Sequence, residues 1–199
     1  MNADHVWYVS YGSNMNASRL ACYLQGGRPP GARVSYPGAR DHTPPVADAA
    51  VMLPGRLFFA GTSSVWGGGM GFYDPDGQGP TPGRAYLIST EQFVDVATQE
   101  MHREPGGSSP LEAVVRAGVP GGRHVAGPGR YETLVRVGQR EGVAMLTFTC
   151  PERAADVVPN QPEQRYLWML SEGLSQAHGW SPARCRRYFA SCGVDDAVA

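Results

Sequence analysis

Lysine is missing from this chain altogether: each of its 17 positive charges is an arginine. Without a lysine, and with only a short glycine turn after its first apolar run, the sequence holds no P-loop for a nucleotide's phosphates. Long apolar runs are missing too. No segment reaches the roughly 18 residues that a membrane span requires, and no membrane partner is expected. Basic residues gather in no stripe, and the net charge is −1 with 18% charged residues, so nucleic acid is not expected as a partner. The four cysteines, Cys22, Cys150, Cys185 and Cys192, form no CxxC pair. Cys185 and Cys192 lie too far apart for one helical turn, and no metal is expected. The opening MNADHVWYVS lacks the basic n-region of a signal peptide, so reduced thiols in a cytoplasmic protein are expected. His-Glu-X-X-His, Gly-X-Ser-X-Gly and long-period repeats are absent as well.

What is present is a turn-rich mixture of strands and helices, with 26 glycines, 17 prolines and 42% hydrophobic residues in a length of 199, enough for one sizeable core. Residues 6–11 are β-branched and aromatic and read as a buried strand. Asn14 or Asn16 can cap a helix over about 17–24, closed by Gly26 and Gly27. Residues 26–56 read as connection, with short strands only near 32–36. Residues 57–61, 70–73 and 83–88 read as strands. Trp66 with Gly67, Gly68 and Gly69 reads as a bend under aromatic cover, and residues 74–77 as a turn. Ser89 and Gln92 fit a capping box for a helix that Pro105, Gly106 and Gly107 stop. Residues 131–137 and 144–149 pair as a hairpin. Residues 161–173 and 182–191 read as helices, the second with Arg184, Arg186 and Arg187 as an exposed face or an anion patch. Residues 105–130 form a loop-rich insertion with one helical patch at 111–117. Strands and helices do not alternate regularly, which disfavours a doubly wound parallel sheet. The expected architecture is α+β in a single domain over 1–199: a small curved or barrel-like mixed β-sheet with a few packed helices.

Two stretches carry chemistry. In Tyr11-Gly12-Ser13-Asn14 an apolar strand ends and a helix begins. Gly12 permits positive φ and close backbone approach, and successive N–H groups ahead of a helix make a small nest for an anion. A carboxylate suits that nest better than a nucleotide. The same residues also suit a plain structural turn in which Ser13 and Asn14 cap the helix. The second stretch is the helix after Ser89. At about 3.6 residues per turn, Phe93, Val94, Val96, Ala97 and Met101 share one arc, while Gln92, Asp95, Thr98, Gln99 and His102 take the other side. Glu100 lies inside the apolar arc, so it is expected to face inward and lose part of its water. A buried carboxyl costs several kcal/mol unless paired or protonated, and burial moves proton exchange toward neutral pH. Glu100 is therefore either a proton carrier or one half of a buried ion pair with an arginine.

The order of motifs resembles the gamma-glutamylcyclotransferase-like superfamily over roughly residues 6–190. Tyr11-Gly12-Ser13-Asn14 ends the first strand. A glycine-containing strand (67–72), a Gly-X-X-Tyr strand (83–88), a helix ending in Gln99-Glu100, Tyr131 opening a strand and a Pro-X-X-X-Tyr helix from Pro162 to Tyr166 follow. The resemblance implies an enzyme without cofactor, metal or covalent nucleophile. Its partner would be a small-molecule γ-glutamyl substrate, whose free α-amine attacks its own γ-carbonyl, forming 5-oxoproline and releasing an amine or amino acid. Free γ-glutamyl amino acids, γ-glutamylamines and a γ-glutamylated natural product all fit that class. The resemblance implies Glu100 as the proton shuttle. Gly12 and Ser13, with Asn14 nearby, would hold the α-carboxylate or the oxyanion, and Tyr11, Tyr131 and Tyr166 would line the pocket. The chain departs from the pattern in two places. Met101 follows Glu100 where the family has glycine, with no acidic residue in the preceding turn, and 30 residues separate Glu100 from Tyr131. A non-catalytic binding module and an amide hydrolase are the alternative functions on the same fold.

Overall fold

The eight strands of this computed structural model, which describes residues 4–29, 34–107 and 109–195, are β1 (His5–Ser10), β2 (Ala47–Pro54), β3 (Arg56–Ala60), β4 (Met70–Asp74), β5 (Pro80–Ser89), β6 (Arg123–Val125), β7 (Thr133–Arg140) and β8 (Val143–Thr149). The helices are α1 (Ala17–Gln25), α2 (Thr90–Glu100), α3 (Pro110–Arg116), α4 (Gln164–His178) and α5 (Pro182–Ser191). Six strands form one mixed sheet in the order β2-β5-β1-β8-β7-β6, open rather than closed into a barrel, and β3 and β4 form a separate antiparallel ribbon. The apolar run of β1 places it inside the sheet, antiparallel to β5 and parallel to β8.

Side chains alternate across a strand, and β1 therefore feeds two cores. Val6 and Tyr8 join Leu20 and Leu24 of α1, Phe93 and Val96 of α2, and Leu111 and Val115 of α3. Trp7 and Val9 join Leu167, Leu170 and Leu174 of α4 and Phe189 of α5. Helices thus cover both faces of an α+β sheet. No described helix is long and apolar enough to cross a membrane. Arg184, Arg186 and Arg187 are exposed on α5.

Several expected boundaries need correction. Residues 26–56 contain a full strand, β2, paired antiparallel to β5 from Ala47 opposite Leu87 to Pro54 opposite Pro80. Its sequence, ADAAVMLP, is mostly exposed and short of β-branched residues. An edge strand of small residues lacks the pattern by which strands are read. Of the strand expected near 32–36, residues 32 and 33 lie outside the described residues, and Tyr36 makes an isolated bridge to Gly27. The insertion at 105–130 holds α3, which packs on α2, and the edge strand β6.

Helix α2 is the larger surprise. Its capping box forms as expected, with Gln92 N donating to Ser89 Oγ and Ser89 N to Gln92 Oε1, both at 3.0 Å. The side expected to be wet, however, is buried at Gln92, Asp95 and Gln99. Gln92 Nε2 donates to the Thr43 carbonyl at 2.8 Å, and Gln99 Nε2 to the Tyr23 carbonyl at 2.9 Å. Asp95 accepts the Arg40 N–H at 2.8 Å and its guanidinium at 3.0 Å. Two segments distant in sequence, residues 40–43 and the end of α1, cover this face and give Gln92, Asp95 and Gln99 Nε2 their partners, while Gln99 Oε1 is buried without one. The helix also ends at Glu100, ahead of Pro105. His102 adopts φ 56°, and the bonds His102 N to Gln99 O and Arg103 N to Thr98 O, both 3.0 Å, close a Schellman motif.

Asp95 is 1% exposed, so its loss takes the acceptor from the Arg40 amide and leaves the guanidinium to Glu91 and Glu112 alone. Asp95→Ala is expected to lower unfolding free energy by about 1.5–3 kcal/mol, read from chemical denaturation with an unchanged m-value.

Candidate active site

The junction of β1 and α1 is built by caps. Asn16 is the N-cap of α1, its Oδ1 accepting from Ser18 N at 3.0 Å and Arg19 N at 3.2 Å. Residues Ser13–Met15 form a short 3₁₀ turn, held by Tyr86 Oη within 3.0 Å of the Asn14 and Met15 carbonyls. Gly173 of α4 lets that turn pack closely, since a Cβ there would meet Met15 Cβ at 2.7 Å. With capping left to Asn16, the Asn14 side chain is free to turn inward. Its Nδ2 donates to Glu100 Oε1 at 3.1 Å and to Tyr8 Oη at 3.2 Å. Gly12 does not use the positive φ expected of it: φ is −113° and ψ −153°. A Cβ there would lie 3.8 Å from Tyr166 Oη.

One pocket brings together all seven residues singled out from the sequence: Tyr11, Gly12, Ser13, Asn14, Glu100, Tyr131 and Tyr166. Its cavity volume is about 60 Å³. Glu100 is half-buried. The tyrosines are tied to the frame. Tyr11 Oη donates to the Phe148 carbonyl at 2.9 Å, which commits the hydroxyl away from a ligand. Tyr131 Oη donates to the Gly71 carbonyl at 3.0 Å, and Gly71 N donates to Tyr166 Oη at 3.2 Å. Both phenols thus grip one residue of β4, Gly71, through its N–H and its carbonyl. A side chain on Gly71 would displace this grip, for its Cβ would stand 2.9 Å from Tyr166 Oη.

The insertion delivers Tyr131 through Glu132. That carboxylate pairs with Arg103, just past α2, and accepts Gly129 N at 2.9 Å. Side chains at Gly127 and Gly129 would collide with it, and Tyr131 itself sits at φ 59°. The electrostatics keep the phenols protonated. Burial first, and then the charge of Glu100, raises the pKa of Tyr8. Tyr166 is pushed up to about 12 by burial, with Glu100 adding to the rise. Burial leads again at Tyr131, with Tyr166, Tyr11 and Glu100 behind it.

Sequence reasoning missed Tyr8, Arg19, Tyr23, Tyr36 and Gln99, which line the same pocket. Arg19 had a signal of the kind that marked Glu100. It is a charged residue on the apolar stripe of α1 that holds Leu20, Tyr23 and Leu24. Trp66 is buried in the pocket wall, stacked on Tyr166 with ring centroids 5.8 Å apart. Among the described residues no cluster of His, Cys, Asp and Glu is placed to hold a metal ion.

No family model matches the chain. Histone deacetylase 5 of Arabidopsis thaliana is 32% identical to it over 208 residues, which take in 98% of this chain and 31% of that protein. The chain thus spans about a third of the length of this curated relative, and the deacetylase name belongs to that longer protein. A solved gamma-glutamyl cyclotransferase superposes with a TM-score of 0.54 at 16% identity, covering 94% of this chain and 88% of its own. A solved Homo sapiens protein, described as uncharacterized, gives the same figures. The architecture shared at such low identity assigns the chain the gamma-glutamylcyclotransferase-like fold.

Proposed function

We propose that this chain is a γ-glutamyl cyclotransferase-type enzyme, which releases 5-oxoproline and an amine or amino acid from a small γ-glutamyl compound. The observation that carries the reading is the 3.1 Å contact between Asn14 Nδ2 and Glu100 Oε1, which sets a carboxylate beside the β1–α1 turn inside one pocket. A carboxylate on the last turn of a helix gains nothing from the helix dipole, so the position of Glu100 serves the pocket rather than α2.

Nucleophile and electrophile belong to one molecule in this reaction, and orientation of that kind is worth about 7–11 kcal/mol in favourable cases. The α-amine nitrogen bonds to the γ-carbonyl carbon, and the carbonyl oxygen takes up negative charge. Glu100 accepts the proton from the amine and returns it to the leaving nitrogen as the old amide bond breaks. Both amide protons of Asn14 are engaged, on Glu100 and Tyr8, so Asn14 positions the shuttle. The N–H groups of Gly12 and Ser13 are left for the developing charge, worth about 3–4 kcal/mol per oxyanion donor. Tyr131 and Tyr166, neutral at working pH, fix Gly71 and the pocket wall. All four cysteines are free, which fits a reducing, cytoplasmic setting.

The test is release of 5-oxoproline from a panel of γ-glutamyl amino acids and γ-glutamylamines. Glu100→Gln is expected to lower kcat by about a hundred- to ten-thousandfold with an unchanged melting temperature; a fully active variant removes Glu100 from the chemistry. Asn14→Ala loses a hydrogen bond to a charged group, about 1.5–3 kcal/mol, and its kcat is expected to fall about ten- to a hundredfold. Substrates with an acetylated α-amine are expected to be inert. Their turnover would instead mark an amide hydrolase, and binding of γ-glutamyl compounds without turnover a binding module.

A further inference from the structure

The aliphatic stem and guanidinium of Arg19 are 2% exposed, yet no carboxylate lies within 4.0 Å of it among the described residues, whereas Arg40, Arg84, Arg103 and Arg116 each reach one. Three of its five N–H donors are used. Nε donates to Ser13 Oγ at 2.7 Å, and Nη2 to Tyr23 Oη at 3.1 Å and Tyr36 Oη at 3.0 Å. Nη1, with the other two, is buried without a partner. The rings of Tyr23, Tyr36 and Trp66 surround the guanidinium, with centroids 5.3, 5.3 and 5.1 Å from Cζ. Such a box orients a cation and eases its burial, but it offers nothing to the free edge. A buried charge without a counter-ion is expensive, and buried polar groups in folded proteins are nearly always satisfied.

We infer that Arg19 Nη1 is the receptor for a free carboxylate of the bound ligand. On the reading given above this is the α-carboxylate of the γ-glutamyl group, and the inference deepens that reading by naming what the substrate must carry. Arg19 lines the same pocket as Glu100. Burial works against its charge, but Tyr23, Tyr36 and the Glu100 carboxylate more than offset it, and the guanidinium stays protonated. Arg19 and Glu100 make no ion pair within 4.0 Å, so one pocket holds two opposite charges apart. That pattern complements the head group of an α-amino acid, with carboxylate toward Arg19 and ammonium toward Glu100. Ser13 joins the receptor, because its Oγ accepts from Arg19 Nε and its own hydroxyl proton is left to donate. Planar, paired donors of this kind favour a carboxylate over its amide or ester.

The experiment compares 5-oxoproline with 5-oxoprolinamide by calorimetry on the wild-type protein, where no variant needs to fold. It also compares γ-glutamyl substrates with their α-amides by turnover. The acid is expected to bind at least tenfold more tightly than the amide. Arg19→Gln is expected to erase that difference, and Arg19→Lys to weaken acid binding tenfold or more. Equal binding of acid and amide to the wild type, failure of both to bind at millimolar concentration, or an acid preference retained in Arg19→Gln overturns the inference. The two proposals fail separately. An Arg19-dependent preference for the acid without any release of 5-oxoproline leaves the receptor standing and removes the cyclotransferase. Turnover with equal kcat/KM on acid and α-amide does the reverse.

Discussion

The hydrogen bond from Asn14 to Glu100 joins residues 86 positions apart, and the pocket is organised around it. Two local choices make it possible. Asn16, not Asn14, takes the first free amides of α1, so the neighbouring asparagine faces inward. The Schellman closure at His102 stops α2 at Glu100, so the glutamate stands at the helix end, where its carboxyl reaches across to the turn. The central strand β1 is the common anchor. It leads directly into the turn, and its two faces carry the two cores against which α2 and α4 are seated.

Around that bond stands a frame of tyrosines whose hydroxyls mostly serve the backbone. Tyr11 holds the Phe148 carbonyl, Tyr86 the 3₁₀ turn, and Tyr131 and Tyr166 the carbonyl and N–H of Gly71. Burial and the nearby negative charge of Glu100 keep several of these phenols protonated, which is the state in which they can donate. The result is an aromatic-walled pocket whose phenols are committed to fixed backbone partners. The insertion contributes through Glu132, whose carboxylate ties Arg103 at the end of α2 to the loop that carries Tyr131.

Much of this was legible in the sequence. The capping box at Ser89 and Gln92, the helix Pro182–Ser191, the hairpin of β7 and β8 and the buried first strand are local signals, and each formed. Glu100 was visible as a charge out of place on an apolar arc. Arg19 breaks the pattern of α1 in the same way, but a capped helix start full of polar residues hides an inward-facing arginine. β2 was missed because an edge strand buries little, and alanine and aspartate carry no strand signature. The buried polar side of α2 was misjudged for a different reason. Amphipathic periodicity assumes water on the polar side, and here the segment around Arg40 and Thr43 supplies the hydrogen bonds that water would have made.

By itself the sequence determined the elements whose causes are local: caps, turns, alternation in strands and the one arc that a glutamate interrupts. It also determined which chemical groups were available, including a chain without lysine. Only the tertiary structure decided which of these groups meet. It chose Asn16 over Asn14 as the cap, held Gly12 at a negative φ, enclosed Arg19 in three rings and left its Nη1 unsatisfied. The reason is physical. Hydrogen-bond partners of buried groups come from segments far apart in the chain, and their choice follows from how the two faces of the sheet are packed, which no local pattern encodes.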